Sequence, residues 1–208
     1  MEHENFAKYL QAFPASKKQA AQLTSSNSIC GDQFSLKIDT KKQQIKINNK
    51  FNFCVAEIKG DDAKQIILWH NKGLNTVALL SYVAYCEPKN SHFAEFFIIA
   101  YPKKHAQSYE NFIETVSSKL NDGNRPDIKL DEFECKEIEN NHGNYKIAKF
   151  LPKPKLDKGT VILKNKQGLM EKIIEAGRHK KIGCYFGSIL FLVLVIGLII
   201  LLISQVIS

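Results

Sequence analysis

The sequence predicts an α+β domain, an antiparallel β-sheet with helices packed on it, followed by one C-terminal transmembrane helix. Three observations carry that prediction. Between Phe34 and Tyr101 the chain falls into alternating or apolar runs separated by Gly, Asn, Asp and Pro clusters, the pattern of strands joined by hairpins. A long amphipathic helix follows, with strand-like runs after it, so strands and helices are grouped rather than alternating as a parallel sheet requires. The final stretch, from Ile182 to Ser208, has no charged side chain.

In "NFAKYLQAF", Phe6, Tyr9, Leu10 and Phe13 fall at i, i+3, i+4 and i+7, which predicts a helix ended by Pro14. The polar "ASKKQAAQLTSSNS" reads as a linker or a second, weak helix. Residues 1–30 are thus expected to be an amphipathic helix and linker, and residues 31–165 an α+β cytosolic domain. "FSLKID" sets Phe34, Leu36 and Ile38 on one strand face, and "QIKIN" repeats the alternation with Ile45 and Ile47. A turn at Asn48–Lys50 leads into "FNFCVAEI", with Phe51, Phe53 and Val55 on one side. "KGDD" turns the chain into "KQIILWHN", read as a further strand with Trp69 in the core. Leu74 to Cys86 is uncharged and fits a strand or a buried helix, and "HFAEFFIIAY" reads as a strand.

"SYENFIETVSSKLNDG" is the clearest soluble helix. Tyr109, Phe112, Ile113, Val116 and Leu120 form its stripe, Ser108 is placed to cap it, Glu110 suits its first turn and Gly123 its end. "EFECKEIEN" and "YKIAKFLP" flank "NHGN" as a predicted hairpin, and "GTVILK" is a short strand. "GLMEKIIEAGRHKK" predicts a last helix with Leu169, Met170, Ile173 and Ile174 inward and a break at Gly177. Residues 166–181 are therefore expected to form a basic juxtamembrane helix and residues 182–208 a transmembrane anchor. The strand run from Phe34 closed by the helix ending at Leu120 resembles a pleckstrin-homology barrel. Strands, a helix and then a hairpin also resemble the Mog1/PsbP-type sandwich. Both are likenesses of element order, which imply a fold and no activity.

Cys184 to Ile203 spans twenty residues whose only polar groups are a phenol, a hydroxyl and a thiol. At about 1.5 Å per residue they cover roughly 30 Å, the hydrocarbon thickness of a bilayer. The stretch is apolar all round, whereas a core helix of so small a domain keeps a polar face. Arg178, Lys180 and Lys181 flank one side and only Gln205–Ser208 the other. The positive flank faces the cytosol, so the N-terminal domain is expected to be cytoplasmic. "MEHENFAKYL" offers no competing signal peptide. In a eukaryotic cell this describes a tail-anchored endomembrane protein, in a bacterium a single-pass inner-membrane one. Gly183 and Gly187 form a GxxxG, a candidate contact for pairing two spans into a homodimer. Cys184, at the membrane boundary, is a candidate for S-palmitoylation.

The net charge of +8 is unevenly placed. Residues 1–144 carry 18 basic and 18 acidic side chains, whereas residues 145–181 carry 11 basic and 3 acidic ones. A nucleic-acid binder spreads its basic surface over the folded domain, so no nucleic-acid partner is expected. Basic charge beside a span is drawn to anionic headgroups at about 1 kcal/mol per residue. Lys153, Lys155, Lys158, Lys164, Lys166, Lys172, Arg178, Lys180 and Lys181 are the candidate lipid contacts. The five cysteines, at 30, 54, 86, 135 and 184, have no zinc-ligand spacing and read as reduced thiols.

Sequence motifs for phosphate cradles, dinucleotide sites, zinc proteases, serine hydrolases and kinases are absent. Cys54, Cys86 or Cys135 with His70, His92 or His142 are the thiol–histidine combinations an enzyme reading would use, and Asp61–Asp62 alone offers too few carboxylates for calcium. No catalytic, cofactor or metal residues are expected. The sequence thus points to a membrane-anchored, cytosol-facing binding or scaffold protein with a cytosolic protein partner. The alternative is an anionic-lipid-binding or tethering protein acting through its basic segment, and the third reading is a membrane-bound enzyme of unrecognised type. The long heptad run of a fusion helix is missing.

Overall fold

The computed structural model describes residues 6–168 together with Glu171 and Val193. The chain divides into two units, Met1–Gln167 and Gly168–Ser208. The first unit is mixed α+β, with an antiparallel sheet and four α-helices. The predicted last helix, apart from Gly168 and Glu171, and the predicted span, apart from Val193, lie outside the described residues. Among the described residues no helix is long and apolar enough to cross a membrane.

The sheet runs β1 (Phe6–Ala12), β6 (Ser91–Tyr101), β5 (Asn75–Cys86), β2 (Gln33–Asp39), β3 (Gln44–Asn48) and β4 (Cys54–Ile58), every neighbour antiparallel. β5 shares its second edge between β2, at Ala78–Leu79, and β9 (Thr160–Lys164), at Val83–Cys86. An isolated bridge between Phe13 and Glu57 brings the two ends of the order together. Leu74 to Cys86, left open between strand and helix, contains β5.

Both faces of the central strands are buried, which is why their sequences are nearly continuous runs of apolar residues. On one face Leu10, Ala12, Ala78, Leu80, Phe96 and Ile98 pack with β2–β4 and with α1 (Lys17–Thr24) and α2 (Asp61–Asn71). On the other, Ala7, Leu79, Phe97 and Ile99 pack beneath α3 (Ala106–Asn121) and α4 (Glu132–Asn140). Beyond α3, two short strands, β7 (Arg125–Pro126) and β8 (Phe150–Leu151), pair with each other away from the main sheet.

Several expectations are corrected. Phe6–Ala12 is a strand and not a helix. Because both of its faces are covered, the adjacent Tyr9 and Leu10 point to opposite cores, and this mimics helical spacing. "KQIILWHN" lies in helix α2, whose first turn carries Asp61 and Asp62 and which buries Ala63 and Ile66 one turn apart. "EFECKEIEN" is helix α4, begun by a capping box in which Asp131 and Glu134 bond each other's backbone N–H. The predicted hairpin at "NHGN" is the turn that ends α4, and "YKIAKFLP" contributes only β8. The polar stretch after β1 takes its helical alternative as α1, with Ser16 as N-cap. Ser108 does not cap α3; it lies buried within the helix, whose N-cap position is His105.

Candidate functional site

A cleft among the described residues marks the seam where β1 and β4 should meet. Phe13 N–H donates to the Glu57 carbonyl at 3.0 Å and Glu57 N–H to the Phe13 carbonyl at 2.9 Å. Strand alternation then turns the main-chain groups of Tyr9 and Gln11 to the same side, away from β6. No bridge continues the pairing, because Gly60 redirects the chain into α2. Its φ of 72° and ψ of −146° belong to a region only glycine occupies readily. The result is a cleft of about 520 Å³ lined by Lys8–Gln11, Phe13–Ala15, Glu57, Lys59 and Asp62. Lys8 bridges Asp62 at 3.1 Å near its mouth, and Lys59 pairs with Glu57 at 3.0 Å. At the start of β1, Phe6 packs at a tilt against Trp69 with ring centroids 3.7 Å apart.

Beside the seam lies an ion pair for which the sequence shows no motif. Arg125 donates from Nε to Glu95 Oε1 at 3.0 Å and from Nη2 to Glu95 Oε2 at 2.8 Å. Ser81 Oγ donates to the same Oε1 at 2.9 Å, and Arg125 Nη1 to the Pro152 carbonyl at 2.7 Å. The Glu95 side chain is only 9% exposed and that of Arg125 15%. The guanidinium lies 4.9 Å from the Tyr9 ring centroid, and the Tyr9 hydroxyl donates to the Pro126 carbonyl at 3.0 Å. Burial raises the Glu95 carboxyl above its ordinary range, although Arg125 pulls it down. Burial likewise raises Tyr9 and pushes Tyr82 up to about 12. This arrangement fastens β7 and the segment at Pro152 to the sheet. The one charge inside the otherwise apolar "HFAEFFIIAY" was the available signal that Glu95 needs a partner.

The candidate lipid contacts separate into groups. Lys153, Lys155, Lys158 and Lys166 are exposed on the segments around β9. Lys164 is half-buried, and its ammonium donates to the Ser25 and Ser28 carbonyls at 2.9 and 2.7 Å. Lys172, Arg178, Lys180, Lys181, Gly183, Cys184 and Gly187 lie outside the described residues. On β9, Val161 is 59% and Leu163 51% exposed, while Ile162 packs inward beside Tyr82, Ala84 and Phe93.

Most of the described thiols lie in the core. Cys30, Cys86 and Cys135 are buried. Cys135 Sγ donates to the Leu130 carbonyl at 3.2 Å, and Cys54 Sγ accepts from Gln19 at 3.5 Å. Burial, and then the Glu57 charge, raise the Cys54 thiol. His70 lies in the last turn of α2, His92 meets Tyr85 at a tilt with centroids 4.9 Å apart, and His142 follows α4. Asp61 pairs with Lys64 at 2.9 Å and Asp62 with Lys8. Among the described residues no group of three or more His, Cys, Asp or Glu is placed to hold a metal ion. Compared with known proteins, the chain matches no family model, no curated protein and no solved structure.

Proposed function

We propose that this chain is a binding or scaffold protein, anchored by residues 182–208 with its N-terminal domain in the cytosol. Its ligand is an extended peptide segment of a cytosolic protein, taken into the β1–β4 seam. The observation that carries this reading is the edge of β1 left open beside the Phe13–Glu57 bridge. An extended segment pairs with such edges through main-chain bonds, and side-chain pockets on alternate residues set its specificity. From Lys8 to Phe13 the edge is ~17 Å long. The helices on both faces of β1, β5 and β6 also favour the sandwich likeness over a barrel closed by one helix.

The test uses full-length protein in lipid nanodiscs and a random-sequence peptide library displayed on phage. Gln11 N–H faces the seam, so Gln11→Pro leaves the β1–β6 ladder intact while blocking strand addition. Enriched peptides should lose binding to this variant; equal binding refutes the seam as the site. Retention after an alkaline carbonate wash, lost on deleting residues 182–208, tests the anchor, and digestion of the domain by cytosol-side protease tests its orientation.

One observation favours a second reading, contact with anionic lipid. Exposed Lys153, Lys155, Lys158 and Lys166 lie around the exposed apolar Val161 and Leu163. Replacing the four lysines by glutamine should then weaken attachment to phosphatidylserine vesicles of protein lacking residues 182–208, its folding checked by circular dichroism.

A further inference from the structure

Between β3 and β4 the chain exposes Lys50 to Phe53 in succession, with Phe51 49% and Phe53 47% exposed. The main chain beneath these two rings is closed on itself. Asn49 Oδ1 accepts from the Phe51 and Phe53 N–H groups at 3.1 and 3.0 Å, and the Asn52 N–H donates to the Asn49 carbonyl at 2.8 Å. Asn49 N–H donates to the Phe53 carbonyl at 2.9 Å, and Asn48 Nδ2 to Asn52 Oδ1 at 3.1 Å. Withdrawing water costs a backbone little when its N–H groups are already bonded.

A short series of contacts joins this turn to the place where the chain leaves the first unit. Lys50 Nζ lies 3.9 Å from Asp32 Oδ2. The neighbouring Gly31 carbonyl accepts from Ser117 Oγ at 2.7 Å. One helical turn on, the Asn121 carbonyl accepts from Gln167 N–H at 2.8 Å. Cations gather along the same path. The Lys18 ammonium sits 5.9 Å from the Phe53 ring centroid, and Lys166 is exposed beside the exit. Exposed Lys17, Lys18, Lys50 and Lys166 thus outnumber Asp32 and Asp122 there.

We propose that the Lys50–Phe53 turn seats its two phenylalanines in the interface of an anionic bilayer. The inference rests on the anchor proposed above and names the surface which that anchor holds against the membrane. Fourteen residues separate Gln167 from Ile182. They reach at most about 50 Å when fully extended, so surfaces beside Gln167 are kept nearest the lipid. Rings buried at the headgroup boundary supply apolar contact, and the lysines around them draw on anionic headgroups. Nearness to the exit and the surplus of lysines favour a bilayer over a protein partner, to which the exit is irrelevant.

The test reconstitutes full-length Phe51→Trp in vesicles of phosphatidylserine and phosphatidylcholine brominated near the headgroup. Wild-type protein, whose only tryptophan is Trp69, sets the baseline. Bromine should quench Phe51→Trp several-fold more than the wild type, and adding Lys18→Gln with Lys50→Gln should remove most of that excess. Quenching no greater than the baseline overturns the proposal. So does excess quenching at Val161→Trp with none at Phe51→Trp, which gives the lipid contact to β9. The second measurement uses Phe51→Ser with Phe53→Ser in protein lacking residues 182–208, its folding checked by circular dichroism. Attachment to phosphatidylserine vesicles should weaken about tenfold; unchanged attachment overturns the proposal. If peptides selected from the phage library lose binding to the serine variant while bromine quenches nothing, the turn serves a protein and the proposal fails. Carbonate retention of the full chain scores the anchor separately. A full chain that washes off, while the shortened protein still depends on Phe51 and Phe53, sinks the anchor and leaves the turn standing. A retained chain without excess quenching does the reverse.

Discussion

Removing one half of the Glu95–Arg125 pair should be among the most damaging single changes to the domain. Arg125→Met keeps much of the aliphatic stem but leaves the Glu95 carboxylate inside the protein with Ser81 as its remaining donor. Breaking a buried pair from one side costs about 3–5 kcal/mol, because a charge is left without compensation. At ~2–4 °C per kcal/mol for a chain of this size, the melting temperature should fall by roughly 6–20 °C. The deficit should also depend on pH. Burial already raises the Glu95 pKa in the folded protein, so the native state holds that proton more tightly than the unfolded chain. Stability from this group is thus highest at low pH and is lost as pH rises from the ordinary carboxylate pKa through the raised one. Without Arg125 the folded pKa rises further, so the variant's deficit is largest at neutral pH and narrows on acidification. Glu95→Gln with Arg125→Met should recover much of the loss, since no buried charge remains. Fluorescence of the single tryptophan, Trp69, followed during urea unfolding of the full chain in detergent, supplies the assay. An Arg125→Met deficit under ~1 kcal/mol and flat between about pH 5 and 8 would refute the reasoning.

Phe96 is fully buried and meets Phe34 edge-on at 5.2 Å, so Phe96→Ala should cost about 3–5 kcal/mol in the same unfolding assay. Gly143 has a φ of +87°, and an added Cβ would meet the Ser108 carbonyl and lie 2.7 Å from Asn111 Cβ. Gly143→Ala should therefore cost about 2 kcal/mol or more and loosen α4 from α3, read as faster hydrogen exchange in α4 peptides. Among the described thiols, half-exposed Cys54 should be alkylated first in the native protein. Its raised pKa makes that reaction slow near neutrality and steeply faster as pH climbs, which peptide mapping after iodoacetamide pulses measures.

The strands β2, β3 and β9 and the helix α3 are legible because each carries one clear period, and β6 because its apolar run follows a turn cluster. The sequence reads less well where two cores share an element. In β1, Tyr9 serves the α3–α4 side and Leu10 the α1–α2 side, so a strand counts as a helix on periodicity alone. α2 and α4 carried capping signals that outweigh their short apolar runs: two aspartates in the first turn of one, Asp131 with Glu134 in the other. The seam is a property of closure. It depends on where the Phe13–Glu57 bridge stops and Gly60 turns, relations between residues 44 apart that no local pattern encodes. The exposed lysines could be found by composition, but Lys164 could be told from its neighbours only by the carbonyls it reaches.

The exit of the chain from the folded unit is fastened at successive points. Arg125 holds Pro152, Lys164 grips the turn after α1, and Gln167 N–H donates to the Asn121 carbonyl at 2.8 Å. A pull arriving from the C-terminal side must break the Gln167 bond and then the Lys164 contacts before it can peel β9 from β5. The unit thus resists mechanical load at its exit, and its first point to yield is the end of α3, far along the chain from the seam.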